Sequence, residues 1–135
     1  MYSIFIGRGE IEPNCRNILF KGKLEHKQIA TYLACADVFV LPTEAEGCCN
    51  AIIEALACGL PVISSNKSFN DEILDESCSI QIDEQNEDEL YAAIVRLKND
   101  CNYRQKKAKG ALEKASTLTI EKRAQSIKLY IEQRI

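Results

Sequence analysis

The amino-acid sequence predicts an α/β fold built on a parallel, doubly wound sheet with flanking helices. Three observations carry that expectation. Short apolar segments alternate along the chain with segments of helical periodicity. One of them, "DVFVLP" (37–42), is a continuous apolar run closed by Pro42, as expected of a strand buried on both faces of a parallel sheet. The length, 135 residues of which 46% are hydrophobic, suffices for one core and leaves little room for a second domain.

The elements follow in order. "YSIFIG" (2–7) reads as a strand running into a glycine turn, and "NILFKG" (17–22) as a second strand. Ile29, Tyr32, Leu33 and Ala36 recur at helical spacing over 25–36. After "DVFVLP", a loop from Thr43 to Cys49 leads into a helix over 50–58, which Gly59 stops and Pro61 prevents from resuming. "PVISS" (61–65) and "CSIQI" (78–82) are further strands, with a short helix expected at "NDEIL" (70–74) between them. Asn86 is placed to cap a helix carrying Leu90, Ala93, Ile94 and Leu97. Two more helices are expected over 102–116, with Ala108, Ala111, Leu112 and Ala115 on one side, and over 119–132, with Ile120, Ala124, Ile127 and Ile131 in a stripe. The charged stretch 96–135 reads as solvated amphipathic helix.

Composition excludes several classes. A net charge of -3 and a pI near 5.3 argue against nonspecific nucleic-acid binding, which needs a broad basic surface. The seven cysteines are odd in number and form no C-x-x-C, so the chain reads as reduced and cytoplasmic, without a disulfide framework or a zinc site. His26 is the only histidine, at an expected helix start, and reads as a surface or capping residue. No apolar run is long enough to span a bilayer, and the first residues lack the form of a signal peptide. "GRGEIE" (7–12) lacks the third glycine of a dinucleotide-binding fingerprint.

The chemistry is concentrated in "EAEGCCNAIIEALACGLPV" (44–62). From Gly47 to Asn66 the only charged residue is Glu54, eight positions after Glu46. In an open α/β sheet ligands bind beyond the carboxyl ends of the strands, where the loop after "DVFVLP" lies. Gly47 lets a ligand approach the backbone, and Cys48, Cys49 and Asn50 supply the free N–H groups of a helix start, which favour an anion such as a phosphate. Glu54, roughly 6 Å further along the helix axis from Asn50, is an acceptor suited to the two donors of a ribose diol. Spacing alone also allows a plainer reading, in which Glu54 pairs with the helix dipole or a lysine and Glu46 is loop surface.

The stretch "ADVFVLPTEAEGCCNAIIEALACGLPVISS" resembles the signature region of the retaining GT-B glycosyltransferases of the group 1, or family 4, type. Their hallmark is E-x7-E followed by E-A-x-A-C/S-G-x-P-V; Glu46 and Glu54 have that spacing, and "EALACGLPV" (54–62) supplies the rest. "FIGRGE" (5–10), "NILFKGKL" (17–24), "LACADVFVLP" (33–42) and "NDEIL" (70–74) match in order, so the resemblance covers most of the chain. It implies a Rossmann-like parallel sheet with flanking helices: residues 1–135 as a single partial donor-binding domain, the C-terminal half of a GT-B fold lacking its first βα unit. It also implies that the acceptor domain is absent or is a separate subunit.

The resemblance implies roles as well. Glu46 would contact the hydroxyls of the transferred sugar, the catalytic position, and Glu54 would hold the ribose. Gly47 and the backbone at Cys48, Cys49 and Asn50 would face the sugar and diphosphate. Gly7 and Gly9 would form a turn near the diphosphate, and Lys21, Gly22 and Leu24 would lie near the base; a plain turn is the alternative for the two glycines. The donor would be a nucleotide-diphosphate sugar, with no metal or other cofactor. The setting would be polysaccharide or lipopolysaccharide synthesis at the inner face of the cell membrane. Cys48-Cys49 departs from the Phe-Gly or Phe-Pro of many members, which leaves the sugar open. The family's Arg/Lys pair for the diphosphate has no counterpart at Arg8, Lys21 or Lys23. A chain lacking the acceptor half is expected to be inactive alone and to self-associate through uncovered sheet surface. The alternative is a non-catalytic nucleotide- or sugar-binding module, or one that docks on a separate subunit.

Overall fold

The computed structural model describes residues 1–7, 9–44 and 50–134, the side chains of Arg123 and Ser126 excepted. They fall into two compact units, Met1–Cys35 and Ala36–Ile135.

In the first unit, β1 (Ser3–Ile6) and β2 (Ile18–Gly22) pair in parallel, and α1 (His26–Cys35) follows. Asn17 enters β2 with φ 61°, a left-handed conformation that asparagine tolerates better than most residues; its carbonyl accepts from Ser3 N–H at 3.0 Å. The Phe20 ring of β2 lies 5.5 Å from that of Tyr32 on α1, and Leu33 of α1 is buried. His26 opens α1 and is exposed.

In the second unit, β3 (Phe39–Leu41), β4 (Val62–Ser65) and β5 (Ser79–Ile82) form a parallel sheet in that order. The helices are α2 (Asn50–Ala57), α3 (Glu87–Asn99), α4 (Cys101–Thr117) and α5 (Ile120–Arg134). The architecture is therefore α/β, with parallel sheets and flanking helices, as the sequence predicts. β4 is the central strand: all four of its residues are buried, so both of its faces are covered. Ile63 and Ile82 form a core cluster with Ala93 and Leu97 of α3, backed by Val38, Ile80, Leu90, Ile94 and Tyr103. Burying a side chain such as Ile63 or Leu97 contributes about 1.5–3 kcal/mol. α2 packs on β3 and β4, and α4 on α2 and α3. α2 ends where the sequence predicts: Leu60 N–H reaches back to Ala55 O (3.1 Å) and Gly59 N–H to Leu56 O (2.9 Å), the two bonds of a Schellman cap. Asn86 caps α3 as expected, its side chain accepting from the N–H groups of Asp88 and Glu89.

Three expectations are corrected. "DVFVLP" is not buried on both faces: Phe39 and Leu41 of β3 are half-buried and Val40 is 39% exposed. The short helix at 70–74 is instead a 3-10 turn, Ser68–Asn70, followed by a single turn in which Leu74 N–H bonds Asn70 O at 2.8 Å. The Asn70 side chain donates back to Ser64 Oγ (3.2 Å) and Ser65 O (2.8 Å), and the Asp75 carbonyl accepts from Ser79 N–H (3.1 Å), so the segment is held as a tight turn between β4 and β5. The buried face of the charged stretch is also not the expected one. α4 buries Lys107, Gly110 and Ala111, whereas Leu112 of the expected face is 54% exposed. The stripe on α5 is exposed at Ile120, Ile127 and Ile131.

α4 seats on the turn before β5. A Cβ at Gly110 would lie 1.9 Å from the Ser77 carbonyl oxygen, so only glycine permits the approach. In that turn Asp75 accepts from Ser77 N–H at 2.8 Å and from the Ser77 hydroxyl, and its other oxygen lies 3.5 Å from Lys114. The Ser77 hydroxyl first, then its N–H and the Lys114 charge, hold the Asp75 carboxyl below the ordinary aspartate value against the opposing effect of partial burial.

Two outcomes are expected. Gly110→Ala sets backbone against backbone and costs about 3 kcal/mol in urea unfolding; a loss below about 1 kcal/mol, the helix-propensity scale, would show that the contact is not formed. Asp75 is depressed in the folded chain, so its charge stabilises fully above the unfolded value near 4 and the contribution is lost as pH falls through the folded value. Half-exposed, it contributes about 1 kcal/mol or less. The stability difference between the wild type and Asp75→Asn is expected to be present at neutral pH and to close on acidification; a difference that widens toward acid contradicts the assignment.

Candidate functional site

The carboxyl ends of β3 and β4 carry a buried polar network. Ser64 Oγ donates to Leu41 O (2.8 Å) and Ser65 Oγ to Thr43 O (2.5 Å), tying the last turn of β4 to the exit of β3. Asn70, fully buried, adds its amide to Ser64 Oγ and Ser65 O. Two buried oxygens in this region, Thr43 Oγ1 and Asn70 Oδ1, have no partner among the described residues. One residue further, Glu44 accepts from the Gln85 side chain beyond β5. The start of the loop that follows β3 is thus fixed by backbone and side chain before residues 45–49, and Asn50 opens α2 on the other side of them. This anchoring of both flanks is what the fold does for the segment in which the sequence concentrates its chemistry.

Beside the network, Lys67 reaches Glu84 at 2.9 Å. The hydrogen bond to Glu84, with the acidic surroundings of Asp83 and Glu44, holds the ammonium above its ordinary value, and the same bond holds Glu84 below its own. The exit side of the sheet therefore carries a fixed ion pair that sequence reasoning missed. Ser64, Ser65 and Asn70 were missed too, since polar residues at a strand end and in a loop look like surface. The available signal was position, the last two residues of the strand and the loop after it.

The expected residues fall in two groups. Glu46, Gly47, Cys48 and Cys49 lie outside the described residues. Asn50 is exposed at the first position of α2; Glu54 is half-buried one turn on, beside the fully buried Ala55 and Leu56.

In the first unit, Gly7, Gly9, Lys21 and Gly22 come together around a cleft of about 290 Å³, with Ile11, Glu12, Pro13 and Lys23. Gly7 and Gly22 have φ of 137° and 145°, which side chains rarely adopt, and Gly7 N–H bonds Gly22 O at 2.9 Å. The two strand ends are thereby locked side by side, so the glycines are a conformational requirement and not interchangeable turn residues. Lys21 pairs with Glu12 at 3.2 Å, and Leu24 is half-buried just beyond. The cleft combines backbone, one ammonium and one carboxylate on a glycine frame.

Among the described residues no three His, Cys, Asp or Glu side chains are grouped to hold a metal ion, and no helix is long and apolar enough to cross a membrane. The described cysteines are free thiols, and of them Cys78 alone is buried, which pushes its thiol up from the ordinary value.

Comparison with known proteins is consistent across sequence and structure. Over 112 residues the chain is 27% identical to a GDP-mannose-dependent monoacylated alpha-(1-6)-phosphatidylinositol monomannoside mannosyltransferase of Corynebacterium glutamicum, covering 72% of this chain and 29% of that protein. It is 31% identical over 106 residues to the amylovoran biosynthesis glycosyltransferase AmsK of Erwinia amylovora, covering 67% and 26%. Among solved structures it superposes on the sucrose-phosphate synthase of Thermosynechococcus elongatus with a TM-score of 0.72 at 28% identity, over 87% of this chain and 30% of that one. The chain spans less than a third of the length of these relatives. The profile of the family described as glycosyl transferases group 1 matches residues 4–100. With most of its length inside that profile, the chain belongs to the group 1 glycosyl transferases.

Proposed function

We propose that the chain is the donor-binding part of a retaining GT-B glycosyltransferase, which moves a hexose from a nucleotide-diphosphate sugar to an acceptor hydroxyl. The observation that carries this reading is the family match over residues 4–100, a span that holds both carboxylates of the 46/54 pair. In the proposed reaction the acceptor oxygen bonds to the anomeric carbon as the bond to the diphosphate oxygen breaks. The departing phosphate takes the hydroxyl proton on the same face. The protein's part is positioning and stabilisation of the leaving charge, without a metal.

The roles follow the resemblance. Glu46 orients the transferred sugar, Glu54 holds the ribose diol, and the backbone at 47–50 faces the diphosphate at the helix start. In the first unit, Gly7 and Gly9 shape the cleft for a close approach, and Lys21, Gly22 and Leu24 lie at the base end. The relative in Erwinia amylovora is an amylovoran biosynthesis glycosyltransferase by name. We place this chain in the same kind of pathway, acting at the cytoplasmic face of the membrane together with an acceptor-binding half. Without that half we expect no turnover of a nucleotide sugar by the isolated chain. The exposed apolar residues Phe5, Ile6 and Leu19 on the first unit's strands, and Ile120, Ile127 and Ile131 on α5, support self-association in its absence.

Calorimetric titration with UDP, GDP and ADP tests the donor role. One nucleotide is expected to bind, and Glu54→Ala to weaken it about tenfold or more through lost charge-assisted hydrogen bonds; undiminished binding by the variant removes Glu54 from the site. Light scattering at rising concentration is expected to give a mass above the 15.2 kDa of one chain, and a constant 15.2 kDa would overturn the self-association.

A further inference from the structure

A cavity of about 810 Å³ lies in the second unit along the free side of β5 and reaches Asn66, just past the end of β4. Arg96 of α3 and Tyr103, Lys106 and Lys107 of α4 line it, with Ser79 and Gln81 of β5. The acidic residues on its wall are Asp75 and Glu76, and Asp75 is already engaged by Ser77 and Lys114.

Lys107 is the unusual group. It is 9% exposed, and its ammonium donates to two carbonyls, those of Glu76 and Ser79, the latter at 3.0 Å. Carbonyls satisfy N–H groups without neutralising charge, and among the described residues no carboxylate oxygen lies within 4 Å of it. A buried cation without a counter-charge is costly. A second cation is held close by: the Arg96 guanidinium lies 3.8 Å from the Tyr103 ring centroid and the Lys107 ammonium 5.1 Å from the same centroid. The ring face offsets part of that repulsion but carries no net charge.

The strand adds directed donors. Val62 N–H bonds Cys78 O and Asn66 N–H bonds Ile82 O, so the even-numbered residues of β5 turn their backbone groups toward β4. Ser79 and Gln81 turn theirs to the free side. Ser79 is satisfied there, its N–H by Asp75 O and its carbonyl by Lys107. By the same alternation the Gln81 N–H turns to the free side of β5, where the sheet has no further strand among the described residues, and Gln81 lines the cavity there.

We propose that this cavity binds a small molecule bearing a phosphate or diphosphate group, held by Arg96, Lys106 and Lys107 with the Gln81 N–H. The chemistry is that of phosphate recognition: a planar guanidinium fork, point charges from two ammonium groups and a backbone donor converge on one space. The volume lies within the range of small-molecule sites, about 300–1,000 Å³. The proposal is independent of the donor reading, since none of these residues belongs to the donor set.

The test is a titration of the isotope-labelled chain with inorganic pyrophosphate, followed by amide NMR, on the wild type and on Arg96→Gln and Lys106→Gln. Lys107 is left intact because it also holds the fold, and thermal unfolding confirms that the two variants fold. Saturable shifts at Ser79, Gln81 and Tyr103 are expected, with affinity about tenfold or more weaker in each variant. Saturable shifts only at Gly7, Gly9, Lys21 and Gly22 or at Asn50 would place the anion at the donor residues and overturn the proposal. Unchanged affinity in both variants, or no saturation, overturns it equally. Failure of the nucleotide titration above leaves this outcome untouched, so the two readings fail separately.

Discussion

The hydroxyls of Ser64 and Ser65 are the constraint on which the exit side of the sheet depends. β4 is covered on both faces, so a polar side chain there must find a fixed acceptor or carry the cost of an unmade bond. The acceptors it finds are the carbonyls of Leu41 and Thr43, on the neighbouring strand and just past its end. The pairing register that brings Leu41 opposite Ser64 is therefore also the register that holds the chain leaving β3. Asn70 closes the arrangement from the next loop. One set of buried hydrogen bonds thus fixes strand register, loop exit and the turn after β4 together.

The second organising contact is α4 against the turn at 75–79. Gly110 lets the helix touch the Ser77 backbone, and Lys107 caps the Glu76 carbonyl of the turn and the Ser79 carbonyl that a further strand would otherwise use. The free side of β5 is in this way partly satisfied from within, which blunts it as an edge. The same geometry brings cations together beside β5, so a structural solution and a binding opportunity arise from one packing choice.

Much of this was legible in the sequence. Strand and helix order, the Asn86 cap and the stop at Gly59 follow from local chemistry, and local chemistry is written in consecutive residues. What failed depends on non-local partners. An apolar run does not say what covers each face of its strand, so it overstates the burial of β3. Ser64 and Ser65 look like the polar end of a strand until the Leu41 and Thr43 carbonyls are placed beside them. Lys107 looks like one more charge in a charged stretch; Tyr103, Lys107, Gly110 and Ala111 lie on one helical face, but nothing in the pattern sets that face above the alanines. At the candidate site the sequence pairs Gly7 with Gly9, whereas the positive φ values fall at Gly7 and Gly22, because the lock between the two strand ends joins residues distant in the chain. The E-x7-E pair was readable as spacing, though only Glu54 of the two falls within the described residues.

The burial of Cys78 has a practical consequence. Cys15, Cys35, Cys58 and Cys101 are exposed thiols that a labelling reagent reaches at once, whereas Cys78 lies at zero exposure where the turn meets β5. Its thiol reacts only when that junction opens, and burial also keeps it protonated and poorly nucleophilic while closed. The lag between modification of the exposed thiols and of Cys78 is thus a clock for opening events in the second unit, readable by mass spectrometry on the unmodified chain.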